Sequence, residues 1–257
     1  RAIQEAGYEA IVINNNPDGL NINRDCGSTH MDGLKKFVVD NGCDIGLAFD
    51  GDADRVLAVD SNGNVVDGDK IMGIIGLDLK RRNQLPNNTI VVTVMSNLGM
   101  HVMAQKHGLT LEKTKVGDRY VLECMLKNNY ALGGEQSGHV IMLKYNTTGD
   151  GQLTALRLVQ IMRETGKSLC ELASIMHTYP QVLVNARVSN NNKYKFRDDA
   201  EIAAKCHELE KEFNGEGRIL IRPSGTEPLV RVMIEGRDQS YISQKAEELA
   251  KLIEKKF

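Results

Sequence analysis

The sequence predicts an α/β protein: mixed, mostly parallel sheets with helices in two domains, followed by a small C-terminal α+β domain. Short runs rich in β-branched residues alternate with helix-spaced segments up to about residue 180. Several runs, such as 44–49 and 89–94, are continuously apolar, as strands of a buried parallel sheet are. Beyond residue 180 the predicted strands return directly on one another, which favours a separate α+β domain.

Each element follows from local spacing. In the segment 30–41 the apolar residues Leu34, Phe37 and Val38 share one helical face. Ser61-Asn-Gly predicts a hairpin turn, and Ser96 or Asn97 predicts a helix cap. The predicted strands are 8–13, 44–49, 56–59, 64–66, 89–94, 109–113, 130–133, 180–188, 218–222 and 229–235. The predicted helices are 30–41, 69–82, 97–107, 118–127, 149–164, 168–176, 198–213 and 240–255.

Changes in this pattern predict domains 1–67, 68–181 and 182–257, with boundaries uncertain by several residues. The chain opens with Arg-Ala-Ile-Gln-Glu-Ala-Gly, which reads as the middle of a helix, and it has no initiator Met. We therefore expect an N-terminal part to be missing.

Composition excludes several classes of protein. The chain has 257 residues, with 32 Lys and Arg against 34 Asp and Glu, so no basic surface for nucleic acid is indicated. No apolar run is long enough to cross a membrane. Five scattered cysteines without a C-x-x-C pair argue against a disulfide framework and a zinc site. A reducing cytoplasm is the expected location.

The loop after the predicted strand 44–49 carries Asp50, Asp52 and Asp54, followed by Arg55. Ligands of open α/β sheets bind at the carboxyl ends of strands. Clustered carboxylates repel one another unless a cation relieves them, and carboxylate oxygens suit hard cations such as Mg²⁺. The sequence therefore predicts a metal site, with Arg55 beside it to hold a phosphate oxygen.

Two other interpretations of this loop are weaker. An EF-hand needs Gly at the sixth loop position and Glu at the twelfth, where this chain has Arg55 and Ser61. An aspartyl phosphatase would use Asp50 as nucleophile, but it would carry Thr or Val where this chain has Asp54. A solvated acidic turn is the remaining alternative.

A second loop, Gly133-Gly-Glu135-Gln-Ser137-Gly-His139, follows a predicted strand. Its glycines allow close approach of the backbone, and Glu135, Ser137 and His139 are candidates to hydrogen-bond sugar hydroxyls. A capped β-turn without a ligand is an equally good interpretation of this segment taken alone.

A third loop combines Arg222, Ser224, Gly225, Thr226 and Arg231 between two predicted strands. Hydroxyls, backbone N–H groups and two guanidinium groups on one turn suit a phosphate dianion. The alternative, a polar turn with solvated arginines, is weakened by the two prolines that stiffen it.

Together these loops resemble the α-D-phosphohexomutase family: DGDADR, GEQSGH and RPSGTEPLVR occur in that family's order over nearly the whole chain. The segments GEQSGH, KVGDRYV and TGDGQLTAL most resemble its phosphoglucosamine mutase branch. One departure is Ala53, where Gly is common. Ala suits that position unless a positive φ is needed.

The resemblance implies an isomerase that interconverts glucosamine 6-phosphate and glucosamine 1-phosphate through a phosphoserine in a Ser-His-Asn-Pro setting. That motif is absent from this sequence, so we expect the fragment alone to be inactive. The implied roles are Mg²⁺ binding by the three aspartates, assistance by Arg55, sugar contacts by the second loop and phosphate contacts by the third.

The alternatives left open are a phosphomannomutase or phosphoglucomutase, and a non-catalytic module that binds metal and sugar phosphate. The sequence assigns no general base. It also does not give the oligomeric state, for which a homodimer stays open.

Overall fold

The computed structural model describes all 257 residues. The chain forms two compact units: an N-terminal unit of residues 1–96 and 100–177, and a C-terminal unit of residues 97–99 and 178–257. The division into 1–67, 68–181 and 182–257 stays a prediction.

Residues up to 177 form seven α-helices, one short 3-10 helix (Pro86–Asn88) and two sheets. The helices are α1 (Ala2–Glu5), α2 (Asp32–Asp40), α3 (Gly68–Arg81), α4 (Leu98–Lys106), α5 (Asp118–Asn128), α6 (Gly151–Thr165) and α7 (Leu169–Ala173). The first sheet has the order β1-β2-β3, with β1 (Ile45–Phe49), β2 (Val56–Asp60) and β3 (Val65–Val66). The second has the order β5-β4-β6-β7, with β4 (Thr89–Thr93), β5 (Thr110–Thr114), β6 (Leu132–Gly134) and β7 (Val140–Met142).

The predicted mixed α/β class is confirmed, but parallel pairing is confined to the second sheet. There β4 lies parallel to β5 and β6, whereas β7 is antiparallel to β6. The first sheet is antiparallel throughout. The reason is the short loop 50–55, because a parallel return needs a crossover of about a dozen residues or more.

The predicted strand at 8–13 is wrong. This segment is irregular, and its apolar residues Ile11 and Val12 are 60% and 61% exposed. A strand forms only where a neighbouring strand accepts its backbone hydrogen bonds, and no strand of this unit pairs with the segment. The local β-rich pattern was therefore not sufficient.

The core of the N-terminal unit lies between the helices and the second sheet. Its largest fully buried side chains come from α3, β4 and α4 and include Ile71, Met72, Ile75, Ile90 and Met100. A smaller cluster packs α5 against the other face, through Val91, Val121, Met125 and Ile141. Apolar side chains thus cover both faces of β4, which explains its continuously apolar sequence.

The C-terminal unit is a three-stranded antiparallel sheet with two helices. The strands β8 (Gln181–Arg187), β9 (Gly217–Pro223) and β10 (Leu229–Gly236) take the order β8-β10-β9. Helices α8 (Ala200–Phe213) and α9 (Gln239–Lys256) begin at the capping aspartates Asp199 and Asp238 and bury their apolar sides on the sheet. The predicted α+β arrangement is present here.

All five cysteines are free thiols. None of the helices combines the length and the apolar character needed to cross a lipid bilayer.

Candidate functional site

The three aspartates of the first loop form one cluster at the end of β1. Their carboxylate ligand atoms all lie within 4.8 Å of one another. The loop is closed by the backbone N–H of Arg55, which donates to Asp50 Oδ1 at 3.1 Å. Asp50 and Asp54 are partly buried, whereas Asp52 is exposed.

The charge of this cluster is only partly compensated. Burial raises the pKa of Asp54 above its ordinary value, and the hydrogen bond to Asp50 and the charges of Asp50 and Asp52 raise it further. Arg55 Nε lies 3.8 Å from Asp50 Oδ2 and 3.7 Å from Asp54 Oδ1, and it is buried without a hydrogen-bond partner. An all-oxygen donor set with excess negative charge fits a hard divalent cation such as Mg²⁺.

Ala53 adopts φ of 59°, in the left-handed region that favours glycine. Its backbone is held on both sides: its N–H donates to Asp50 O at 3.2 Å, and its carbonyl accepts from Gly151 N at 2.9 Å. The departure noted in the sequence therefore places a side chain where the backbone conformation disfavours one.

The second loop, between β6 and β7, packs directly on the first. Val56 N donates to Gly138 O at 3.2 Å, and Arg55 and His139 form a β-bridge. Glu135 is half-buried and its Oε1 accepts from Gly117 N at 3.0 Å, whereas Ser137 is exposed. The N-terminal unit thus brings the aspartate loop and the predicted sugar loop together.

His139 lies beneath these loops rather than at their surface. The residue is 2% exposed, its Nε2 accepts from Gly149 N at 3.1 Å, and that nitrogen is 3.4 Å from Asp54 Oδ2. The imidazole is therefore packed against Asp54, and in this structure it is not open to a sugar. Its sugar contact stays a prediction.

The segment 148–151, which the sequence predicts as the start of the helix 149–164 with Asp150 at its N-terminal end, also supports the aspartate loop. Asp150 caps α6 by accepting from Leu153 N at 2.9 Å. A Cβ on Gly149 would lie 2.4 Å from the His139 ring, and one on Gly151 would lie 2.6 Å from Arg55 O. Sequence reasoning missed this contact, for which the only signal was two glycines flanking a capping aspartate.

A cavity of about 570 Å³ opens beside the aspartate loop. It is lined by residues of that loop and of the α6 N-terminus, namely Asp52, Ala53, Asp54, Thr148, Gly149, Asp150, Gln152, Leu153 and Leu156. The cavity is large enough for a small ligand beside a cation held by the carboxylates on its wall.

The third loop lies in the C-terminal unit, between β9 and β10. Ser224 is 3% exposed, and its Oγ accepts from Glu227 N at 3.2 Å, while Gly225 and Thr226 are exposed at the tip. The buried serine therefore shapes the turn, and the next two residues form its outer surface.

Two arginines face each other at the base of this turn. Arg222 and Arg231 are directly paired across β9 and β10, and both Nε atoms are buried without partners. Burial and then the charge of Arg231 lower the pKa of Arg222. Arg231 is paired with Glu227 at 2.9 Å, whereas Arg222 has no carboxylate partner. Like charges directly opposite are unfavourable, so this arrangement suits an anion placed between them.

Comparison with known proteins agrees with these features. Residues 67–179 match the family model described as phosphoglucomutase/phosphomannomutase, alpha/beta/alpha domain III, and residues 183–252 match the C-terminal domain of the same family. A phosphoglucosamine mutase of Acetivibrio thermocellus is 64% identical over 253 residues, or 98% of this chain and 56% of the relative. One of Ruminiclostridium cellulolyticum has the same identity and coverage.

The chain thus spans a little over half the length of these relatives. Among solved structures, it is similar to Aspergillus fumigatus N-acetylphosphoglucosamine mutase in complex with GlcNAc-6P and magnesium, with a TM-score of 0.69 at 22% identity. That match covers 93% of this chain and 54% of the other, and it supports the fold. With both domain models matched in order, the chain belongs to the phosphoglucomutase/phosphomannomutase family, the α-D-phosphohexomutases.

Proposed function

We propose that this chain is the metal-binding and phosphate-binding part of a phosphoglucosamine mutase. The observation that carries the proposal is the 64% identity, over nearly the whole chain, to proteins of that name. The aspartate cluster and the paired arginines supply the chemistry that such a reaction needs. The complete activity belongs to a longer protein, because no Ser-His-Asn-Pro segment for a phosphoserine occurs in these 257 residues.

In the proposed reaction, the phosphoserine phosphorus is attacked by the free hydroxyl of the sugar phosphate. The serine–phosphate bond breaks and a sugar bisphosphate forms. After the bisphosphate reorients, the serine oxygen attacks the other phosphate, which regenerates phosphoserine and releases the isomeric monophosphate. Phosphoryl transfer of this kind depends mainly on positioning and on stabilising negative charge.

At the reacting end, we propose that Asp50, Asp52 and Asp54 hold Mg²⁺ and that Arg55 binds a phosphoryl oxygen. When bound, Mg²⁺ supplies positive charge beside the transferring group. The orphaned Arg55 Nε supports the second assignment, because a buried donor without a partner is available for an incoming oxygen.

At the other end, Arg222, Gly225, Thr226 and Arg231 are proposed to hold the phosphate that does not react, with Ser224 shaping their turn. Such a grip supplies binding energy that orients the reacting end. Glu135 and Ser137 are proposed to contact sugar hydroxyls.

The experiment is a substrate panel of glucosamine 1-phosphate, mannose 1-phosphate and glucose 1-phosphate. We expect preferred turnover of glucosamine 1-phosphate by a longer protein that includes this chain and a Ser-His-Asn-Pro segment, and none by these 257 residues alone. Preference for mannose or glucose phosphate would reassign the protein to the rival mutases. Turnover by the 257 residues alone would disprove the need for a separate phosphoserine.

The metal assignment is tested by titrating the chain with Mg²⁺ and measuring heat and thermal midpoint. We expect Asp52→Asn to abolish saturable binding, because it removes one of three anionic ligands. Asp32→Asn, an exposed aspartate on α2, is the control and should bind as the parent does. Equal binding by both variants would refute the assignment.

A further inference from the structure

Lys193 is a buried lysine beneath the turn 224–228 between β9 and β10, which is called the phosphate turn because the proposed function places a phosphate there. The residue is only 8% exposed, and its Nζ donates to the carbonyl oxygen of Ser224 at 2.9 Å. Its ammonium also lies 5.8 Å from the ring of Tyr194. No carboxylate forms a salt bridge with it.

This environment is unusual for a lysine. Burying an ammonium group is costly unless an anion compensates its charge, and a carbonyl oxygen is only a neutral acceptor. Buried lysines in proteins almost always form an ion pair with a carboxylate. No side chain of the C-terminal unit therefore compensates the charge of Lys193, and an anion bound to the unit would do so.

The hydrogen bond also fixes the direction of one peptide group. The Ser224–Gly225 peptide is trans, since the chain has no cis peptide bonds, so its N–H points opposite to its C=O. Because the carbonyl points inward to Lys193, the N–H of Gly225 points outward, at the exposed tip of the turn. The positive end of that peptide dipole thus faces the side on which a phosphate would bind.

We propose that Lys193 is a positioning residue of the phosphate site: it holds the Gly225 N–H outward and adds a buried positive charge behind the turn. This inference rests on the proposed function, in which the turn binds a phosphate. Lys193 itself does not touch the phosphate. It acts through the Ser224–Gly225 peptide and through its charge, which joins those of Arg222 and Arg231.

The test compares Lys193→Met, Lys193→Arg and the control Lys195→Met, which removes an exposed charge from the same segment. Binding of inorganic phosphate is measured by calorimetry, and thermal midpoints are measured without phosphate. We expect Lys193→Met to weaken phosphate binding roughly ten-fold, the effect of one poorly screened charge at close range. Lys195→Met should change it less than about two-fold, because exposed charges are screened.

Two further measurements separate positioning from mere structural support. Without phosphate, Lys193→Met should melt close to the parent chain, because removal of a buried charge offsets the lost hydrogen bond to Ser224 O. The Gly225 amide resonance should move on phosphate addition in the parent chain and in Lys193→Arg, and much less in Lys193→Met.

Three results would overturn the inference. One is equal phosphate affinity of the parent chain and Lys193→Met. Another is a lower melting temperature of Lys193→Met without phosphate, together with an affinity loss that Lys193→Arg does not restore, which would make the role structural. The third is a parent chain that binds no phosphate, which would also remove the phosphate site from the proposed function.

Discussion

At the scale of single residues, the backbone of Ala53 shows how a small departure from a motif acts on a site. Its φ of 59° is readily reached by glycine but costs an L-residue on the order of 1 kcal/mol. The strain is maintained because Asp50 and Gly151 hold its N–H and C=O. The conformation of this loop is thus maintained by hydrogen bonds to its neighbours rather than by the backbone preference of Ala53.

We expect Ala53→Gly to raise the free energy of unfolding by about 1 kcal/mol, because glycine relieves this strain. Urea denaturation measures the change. Ala203→Gly is the matched control, since Ala203 is exposed on α8 with ordinary helical geometry and should lose about 1 kcal/mol. A loss of stability in both variants would show that residue 53 is unstrained in solution.

The carboxylate of Glu227 occupies part of the phosphate turn. Arg231 donates to its Oε2 at 2.9 Å, so a phosphate bound at this turn, as proposed, would compete with an internal anion. We expect Glu227→Gln to strengthen binding of inorganic phosphate by up to about five-fold, the range of an exposed ion pair. Calorimetric titration measures the affinity.

Glu216→Gln is the control, because Glu216 forms a similarly exposed pair with Arg237 in the same unit. Its phosphate affinity should match that of the parent chain. Weaker binding by Glu227→Gln would mean that Glu227 organises the turn instead of competing for it.

At the scale of elements, helix α3 is held to α6 by a buried aspartate. The side chain of Asp78 is 3% exposed and pairs with Arg81 at the end of its own helix, with Arg82 directly after it and with Arg157 on α6, at 2.6 to 2.8 Å. Burial alone would raise the pKa of Asp78, but the hydrogen bonds and charges of the three arginines outweigh it and lower that pKa. The carboxylate form is therefore the stabilising one.

We expect Asp78→Asn to lower the free energy of unfolding by about 3 kcal/mol at pH 7, because it leaves the largely buried guanidinium of Arg157 without its carboxylate partner. A lowered native pKa contributes stability above the unfolded value, near pH 3.9, and that contribution is lost as the pH falls through the native pKa. The difference between variant and parent should therefore be constant from pH 7 to 5 and shrink below about pH 4.

Urea denaturation at several pH values gives this comparison, with the exposed Asp32→Asn as control. A difference that grows on acidification would contradict the assigned direction of the pKa shift.

The positions of individual helices and strands were the part of the structure that the sequence predicted best. Apolar periodicity located α3, α9 and β4 to within a residue or two, because each packs one continuous side or strand into a core. Pairing was harder. The strand predicted at 8–13 failed for want of a partner strand, and the antiparallel β1–β2 pair followed from loop length, not from apolar pattern.

The residues of the candidate site also differ in how well the sequence predicts them. Motif residues such as Asp50 and Arg222 stood out because several polar groups of one kind lie close in sequence. Lys193, Gly149 and the burial of His139 were not predictable, since each depends on a contact between segments distant in sequence. Local patterns indicate which groups carry the chemistry, but not which groups support them.

At the scale of the whole molecule, Asn97 belongs to the C-terminal unit although it precedes α4. Its buried side-chain amide donates to Tyr179 O and Glu235 Oε1 and accepts from Tyr179 N, at 2.9 to 3.1 Å. It also caps α4, as predicted, by accepting from Gly99 N. One amide thus hydrogen-bonds three backbone groups and a carboxylate in a buried setting.

We expect Asn97→Ala to lower the free energy of unfolding by about 3 kcal/mol, because it leaves the N–H and C=O of Tyr179 and the carboxylate of Glu235 short of partners. Hydrogen exchange of β10 amides measures the effect on this unit. Asn191→Ala, at an exposed position in the same unit, should change exchange little. Equal exchange in both variants would show that solvent replaces the lost bonds.

The Asn97–Glu235 contact also has a consequence for biosynthesis. The two residues are 138 positions apart, so a ribosome makes Glu235 roughly ten seconds or more after Asn97. Tyr179, 82 positions after Asn97, is the first of these partners to be made, and Glu235 is the last. The last strand to be translated therefore completes a set of contacts begun in the first half of the chain, and a chain cut between residues 177 and 178 would leave Asn97 and these partners on different pieces.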